Sequence, residues 1–164
     1  VANTQSMCTS FMGELLTATH NFGTAPLRAA TTADTFKAAL YLASATLNAS
    51  TTAYTTTGEV SSSGTNYTAG GATVTNATAP TSTNASATAG TAYWTPSASI
   101  TYGTSGSPVT LTTAFDCVLI YNSSQSNKAV SVHTFGSQTV TAGIFTLTMP
   151  SNTTSTALLR LATT

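Results

Sequence analysis

Charge is nearly absent from this chain. Glu14, Asp34, Glu59 and Asp116 are its only acids, and Arg28, Lys37, Lys128 and Arg160 its only bases. Together they make 5% of 164 residues, where an ordinary globular domain has about 25%. Four scattered cations cannot gather phosphates, so nucleic acid is excluded as a partner. No apolar run reaches the length of a transmembrane helix, so no membrane span is expected. No basic start leads into an apolar stretch, so no secretion leader is expected. There are two cysteines, Cys8 and Cys117, and two histidines, His20 and His133. They form no Cys-x-x-Cys or His-x-His spacing, so neither a metal site nor a cofactor is expected. Cys117 reads as a small core hydrophobe. A Cys8–Cys117 bridge stays open as an alternative, although cytosolic assembly would keep both thiols reduced.

Catalytic signatures are missing too. A serine hydrolase needs a base beside its nucleophile and an acid behind the base. No Gly-x-Ser-x-Gly elbow occurs, and serine is too abundant for proximity to a histidine to count. A glycosidase needs two carboxyls across a cleft, and no pair of the four acids has support from spacing. The chain is therefore expected not to be an enzyme. Asp116 is expected to bind a nearby backbone N–H or a cation. Six N-x-Ser/Thr sequons, at Asn48, Asn66, Asn76, Asn84, Asn122 and Asn152, carry little weight in a chain so rich in hydroxyls.

What the chain does have is Ser and Thr, roughly a third of all residues, and short alternating apolar runs. Asp116-Cys117-Val118-Leu119-Ile120-Tyr121 is the least polar stretch and reads as a central strand covered on both faces. Phe36, Ala38, Leu40 and Leu42 alternate over 35–42. Further strands are expected at 72–75, around Ile100 and Tyr102, at Val109 and Leu111, over 128–134 with Val130 and Val132 inward, over 144–149, and over 156–161. Phe135-Gly136-Ser137 is expected to break a strand, and Gly70-Gly71 to make a tight bend or bulge. Residues 76–91 are low in complexity and read as an exposed loop. The fold expected is mainly β: an antiparallel, jelly-roll-like β-sandwich of about eight strands with a short N-terminal helix.

That helix is expected over 4–18, capped by Ser6. Met7, Phe11, Leu15 and Ala18 form its apolar stripe, widened by Met12 and Leu16. Gly23-Thr-Ala-Pro26 separates it from the first strong strand. The chain is therefore divided into a docking segment, 1–22, and a β-sandwich domain, 23–164. Met7, Phe11, Leu15 and Ala18 are the candidate partner-binding residues. Zero formal net charge on a hydroxyl-rich surface permits self-association, so a homo-oligomer is expected.

Four runs recur in a familiar order: Asp34-Thr-Phe-Lys-Ala-Ala-Leu-Tyr41; Gly58-Glu-Val60 with Tyr67-Thr-Ala-Gly-Gly71; residues 109–121; and Lys128-Ala-Val130 leading to Phe135-Gly136. Over about residues 34–161 they resemble small virion structural proteins of tailed bacteriophages. The resemblance implies a β domain on the capsid surface of a virion assembled in the host cytoplasm. It implies a decoration or cement role, with the major capsid protein as partner and no catalytic residues. The low-complexity stretch at 76–91 departs from the pattern. The alternative is a head-fibre, neck or tail accessory module that binds host-surface carbohydrate or a receptor. Its cue is the set of rings Tyr54, Tyr67, Tyr93 and Trp94, which can stack on sugars. A secreted lectin-like or adhesin-like β domain is a further rival.

Overall fold

The computed structural model describes residues 2–16, 18–22, 33–76, 79–83 and 90–162. Ten strands and one helix lie among them. In chain order they are β1 (Ser6–Met7), α1 (Thr9–Leu16), β2 (Phe36–Leu42), β3 (Ala72–Thr73), β4 (Thr81–Ser82), β5 (Thr91–Trp94), β6 (Ile100–Tyr102), β7 (Val109–Asn122), β8 (Lys128–Gly143), β9 (Phe145–Leu147) and β10 (Leu159–Ala162). The main sheet has the order β1-β8-β7-β2-β3; smaller sheets are β10-β5-β4 and β6-β9. Every pairing is antiparallel. The expected mainly β, antiparallel fold with a short N-terminal helix is what forms.

β7 is the middle strand of the main sheet, and Phe115 and Cys117 through Tyr121 are all buried. A strand between two others, with both faces covered, has no use for polar side chains, which is why this stretch reads as one apolar run. On one face Ala38 pairs with Ile120 and Leu40 with Val118. The smaller sheets pack there: Phe36 lies 6.2 Å from Trp94, and the Tyr102 hydroxyl donates to the Ala38 carbonyl at 2.8 Å. On the other face lie Ala39, Tyr41, Leu119 and Tyr121. That face is covered by residues 43–71, which contain no strand longer than a single bridge.

Side chains hold this covering segment in place of ladders. The Glu59 carboxylate accepts from the Tyr54 hydroxyl at 2.7 Å, the Tyr67 hydroxyl at 2.9 Å and the Gly70 N–H at 2.7 Å. Tyr121 donates to the Gly70 carbonyl at 2.8 Å, and Tyr54 stacks on Tyr121 at 4.6 Å. The Gly70-Gly71 bend is as expected, with φ of 85° and 77°. A Cβ on Gly71 would stand 1.8 Å from the Ala38 carbonyl oxygen, so only glycine lets β3 close on β2.

Three boundaries differ from expectation. Val109 and Leu111 belong to β7 itself and not to a separate strand. β8 does not break at Phe135-Gly136-Ser137 but runs on to Gly143. Phe115 pairs with Gln138 and Cys117 with Thr134. Two residues of β7 thus span four of β8, and a bulge absorbs the glycine without ending the strand. The last strand begins at Leu159, not Thr156.

The N-terminal segment departs furthest. The helix is eight residues long, not fifteen. Ser6 does not cap it: Ser6 and Met7 form β1 and pair with Val132 and Ser131. A helix this short is marginal by itself, and an open strand edge at β8 offers the backbone a better set of partners. Cys8 N–H donates to the Val130 carbonyl at 3.0 Å and Thr9 N–H to the Ala49 carbonyl at 2.9 Å. Asn3 donates to Asp116 at 2.6 Å, which meets the expected need of that carboxylate with an amide and not with a cation. Cys8, Phe11 and Phe22 sit in the same core as the sheets. Ser6 to Thr9, Phe11 and Phe22 are thus built into the β layers. The expected separator Gly23-Thr-Ala-Pro26 lies outside the described residues, as do 77–78 and 84–89 of the low-complexity stretch. Within that stretch 81–82 and 91 are strand.

The helix closes in a Schellman turn. Ala18 N–H donates to the Leu15 carbonyl at 3.0 Å and Thr19 N–H to the Glu14 carbonyl at 2.9 Å. Ala18 takes φ of 54°, the left-handed position that glycine usually fills.

Candidate functional site

Of the four residues expected to bind a partner, the structure brings three together. Met7 on β1 and Phe11 and Leu15 on α1 form one wall of an apolar groove of about 80 Å³. Leu159 and Leu161 on β10, with Ala92 and Trp94 on β5, form the facing wall. Leu159 pairs with Trp94 and Leu161 with Ala92, so the four point from one face of the small sheet. Phe22, Tyr93 and Pro80 complete the lining. Ala18 is not part of it: it lies past the helix, exposed, in the left-handed turn. The four do not form a single outward stripe. Phe11 is 2% exposed and faces the core, because a helix laid against a sheet edge turns its apolar side inward. Met12, one residue on, is 46% exposed, and Leu161 is 43% exposed. These two and Ile144 are the large hydrophobic side chains left in solvent among the described residues.

The aromatic rings offered as sugar platforms are mostly committed elsewhere. Tyr67 and Trp94 are buried. The Trp94 indole N–H donates to Asn76 Oδ1 at 2.8 Å, and Tyr54 lies flat on Tyr121. Tyr93 is half-exposed and lines the groove. The sequon at Asn122 is fully buried and beyond the reach of a glycosyl transferase.

Sequence reasoning missed a polar cluster behind the groove. His20 has a fully buried side chain. Its Nε2 lies 2.7 Å from Glu14 Oε2 and its Nδ1 3.1 Å from Asn122 Nδ2. Lys128 Nζ donates to Glu14 Oε1 at 2.6 Å. Asp34 accepts from Asn122 Nδ2 at 2.7 Å, from the Asn21 N–H at 2.9 Å and from Gln125 Nε2 at 3.2 Å. Three stretches far apart in sequence meet here: that of Glu14 and His20, that of Asp34, and that of Asn122 to Lys128. Spacing held no signal for it. Burial holds the imidazole below its ordinary value, with Lys128 acting in the same direction and Glu14 and Asp34 opposing. Both ring nitrogens are spoken for, so the ring has no free atom to serve as a general base. His133 contacts Ser131 Oγ at 2.8 Å; burial pushes it down to about 4.

Burial also pushes the thiols up, Cys8 to about 11 and Cys117 to about 12. Both are free and buried, and the bridge left open by the sequence is not formed. No group of three metal-ligating side chains occurs among the described residues. The groove presents an apolar surface. Comparison with protein families, with curated proteins and with solved structures finds no match to this chain.

Proposed function

We propose that the chain is a non-catalytic structural protein of a tailed-phage virion, a capsid decoration or cement protein. It sits on the capsid surface, assembled in the host cytoplasm, and seats on the major capsid protein through the groove between α1 and the β10-β5-β4 sheet. It acts as a homo-oligomer. The observation that carries this reading is the groove itself, apolar on both walls and lined by exposed Leu161, on a protein with eight charged side chains and with Met12 exposed on the same helix. Burying the open half of Leu161 and of Met12 is worth about 1 kcal/mol each. A repeating shell multiplies such small gains by the number of contacts.

Copy number in purified virions tests the setting. A number matching the shell subunits supports decoration, and a few copies at one vertex supports the fibre or tail alternative. Absence from the particle rejects both. Leu161→Asp tests the surface. Its side chain is 43% exposed, so the melt should hold while decoration is lost. Full decoration by a Leu161→Asp protein of unchanged stability would place the contact elsewhere.

A further inference from the structure

The orientation of one amide fixes the state of His20. Asn122 is completely buried. Its Nδ2 donates to Asp34 Oδ2 at 2.7 Å, and its Oδ1 accepts from the Ser124 N–H at 3.1 Å. Turning the amide over would set Oδ1 against a carboxylate and NH₂ against an N–H, losing both bonds. The second Nδ2 hydrogen therefore points at His20 Nδ1, 3.1 Å away, and Nδ1 is an acceptor. The remaining ring proton sits on Nε2 and donates to Glu14 Oε2.

We propose that His20 is an acid-sensitive latch on the N-terminal segment. A proton added to Nδ1 puts an N–H against the Asn122 NH₂, donor facing donor, in a site closed to water. The ring can keep its Glu14 bond or escape the clash, but not both. The groups around it are Glu14 from α1, Asp34 ahead of β2, Lys128 from β8 and Asn122 from β7. The apolar remainder is Phe11 at 4.8 Å, Phe22 at 6.4 Å and Phe36 at 6.4 Å between ring centres. Glu14 and Asp34 favour the imidazolium, while Lys128, the rings and the lack of water oppose it. The linkage sign follows. A histidine held low in the folded state gives stability that is full above its unfolded value. That stability falls as pH drops through the unfolded value towards the folded one.

The latch secures one part of the molecule. Glu14 and His20 bracket the end of α1, and Asn122 and Lys128 flank the β7–β8 turn. Opening it frees α1 and Phe22 while the ladder of β2, β7 and β8 stays intact. Phe11 and Phe22 line the groove, so acid also remodels the proposed docking surface. That consequence rests on the docking reading, whereas the latch does not.

Trp94, the chain's single tryptophan, lies 4.8 Å from Phe22 and reports on this contact. On acidification of the full chain to about pH 5, Trp94 fluorescence should shift while far-UV dichroism keeps its β signal. Exchange at the Cys8, Thr9 and Asn21 amides, corrected for intrinsic rate, should speed up about tenfold more than at Leu119. His20→Gln should remove the histidine-range transition, and His133→Gln should leave it in place. Nitrogen-15 spectra of the wild-type ring test the geometry without any variant. They should show a neutral ring protonated on Nε2 at neutral pH. A ring protonated on Nδ1, a transition unmoved by His20→Gln, or simultaneous loss of fluorescence and dichroism signals would each overturn the latch. Decoration assays at neutral pH are a separate readout: their failure rejects the virion role and leaves the latch standing.

Discussion

Replacing Phe11 by Ala separates a core helix from a docking helix. Phe11 is 2% exposed, with its ring edge-on to His20 at 4.8 Å and to Phe22 at 6.0 Å. Truncating a buried Phe to Ala costs about 3–5 kcal/mol, from lost transfer energy and the cavity left behind. Here the cavity would join the groove and admit solvent, which favours the lower end, about 3 kcal/mol. For a chain of this size each kcal/mol moves the melting temperature by about 2–4 °C, so the expected fall is about 6–12 °C. Met12→Ala, on the same helix but 46% exposed, should move it by no more than about 2 °C. Calorimetry or urea titration with an unchanged m-value reads the difference. If Phe11→Ala melts with the wild type, the helix is not part of the core, and 1–22 is the detachable docking segment that its sequence pattern suggested.

Gly71→Ala should prevent a stable fold or cost more than about 4 kcal/mol, because the added methyl meets the Ala38 carbonyl oxygen at 1.8 Å with φ of 77°; the yield of soluble protein and its melt check this. Ala18→Gly should stabilise by about 0.5–1 kcal/mol, since φ of 54° strains alanine and not glycine, and a denaturation midpoint that falls would show the Schellman turn is not what ends α1. Cys8 and Cys117, buried and held well above neutral pH, should resist a thiol reagent in the native state and both react in denaturant; mass spectrometry finding a Cys8–Cys117 linkage would refute free thiols.

The sequence showed best what depends on alternation. Val118 and Ile120 read as one face and Cys117, Leu119 and Tyr121 as the other because a buried middle strand must be apolar on both. Phe145, Leu147 and Met149 likewise share a half-buried face. Gly70-Gly71 was legible because positive φ selects glycine. Residues 2–22 were not, since their apolar spacing fits a helix stripe or a strand edge equally, and the choice lay in an opening on β8 more than a hundred residues away. The cluster of Glu14, His20, Asp34, Asn122 and Lys128 was hidden for the same reason: single polar residues at unrelated positions carry no period. The groove was half legible. Met7, Phe11 and Leu15 were named, but Leu159, Leu161 and Trp94 belong to another sheet whose facing needed the three-dimensional structure.

The pairing of β1 with β8 has a consequence for how the molecule is made. Met7 lies opposite Ser131, and Cys8 bonds to Val130. Chains grow at about 5–20 residues per second, so β1 waits about 6–25 s for its partner to be synthesised. During that interval Met7 and Cys8 lack the β8 edge that pairs with them. The β7–β8 hairpin, closed locally by a turn with Ser126 and Asn127 at φ of 53° and 58°, forms as soon as its two arms emerge. β2 then joins it, and β1 docks last. A nascent chain stalled before β8 would therefore be the species that chaperones and proteases meet.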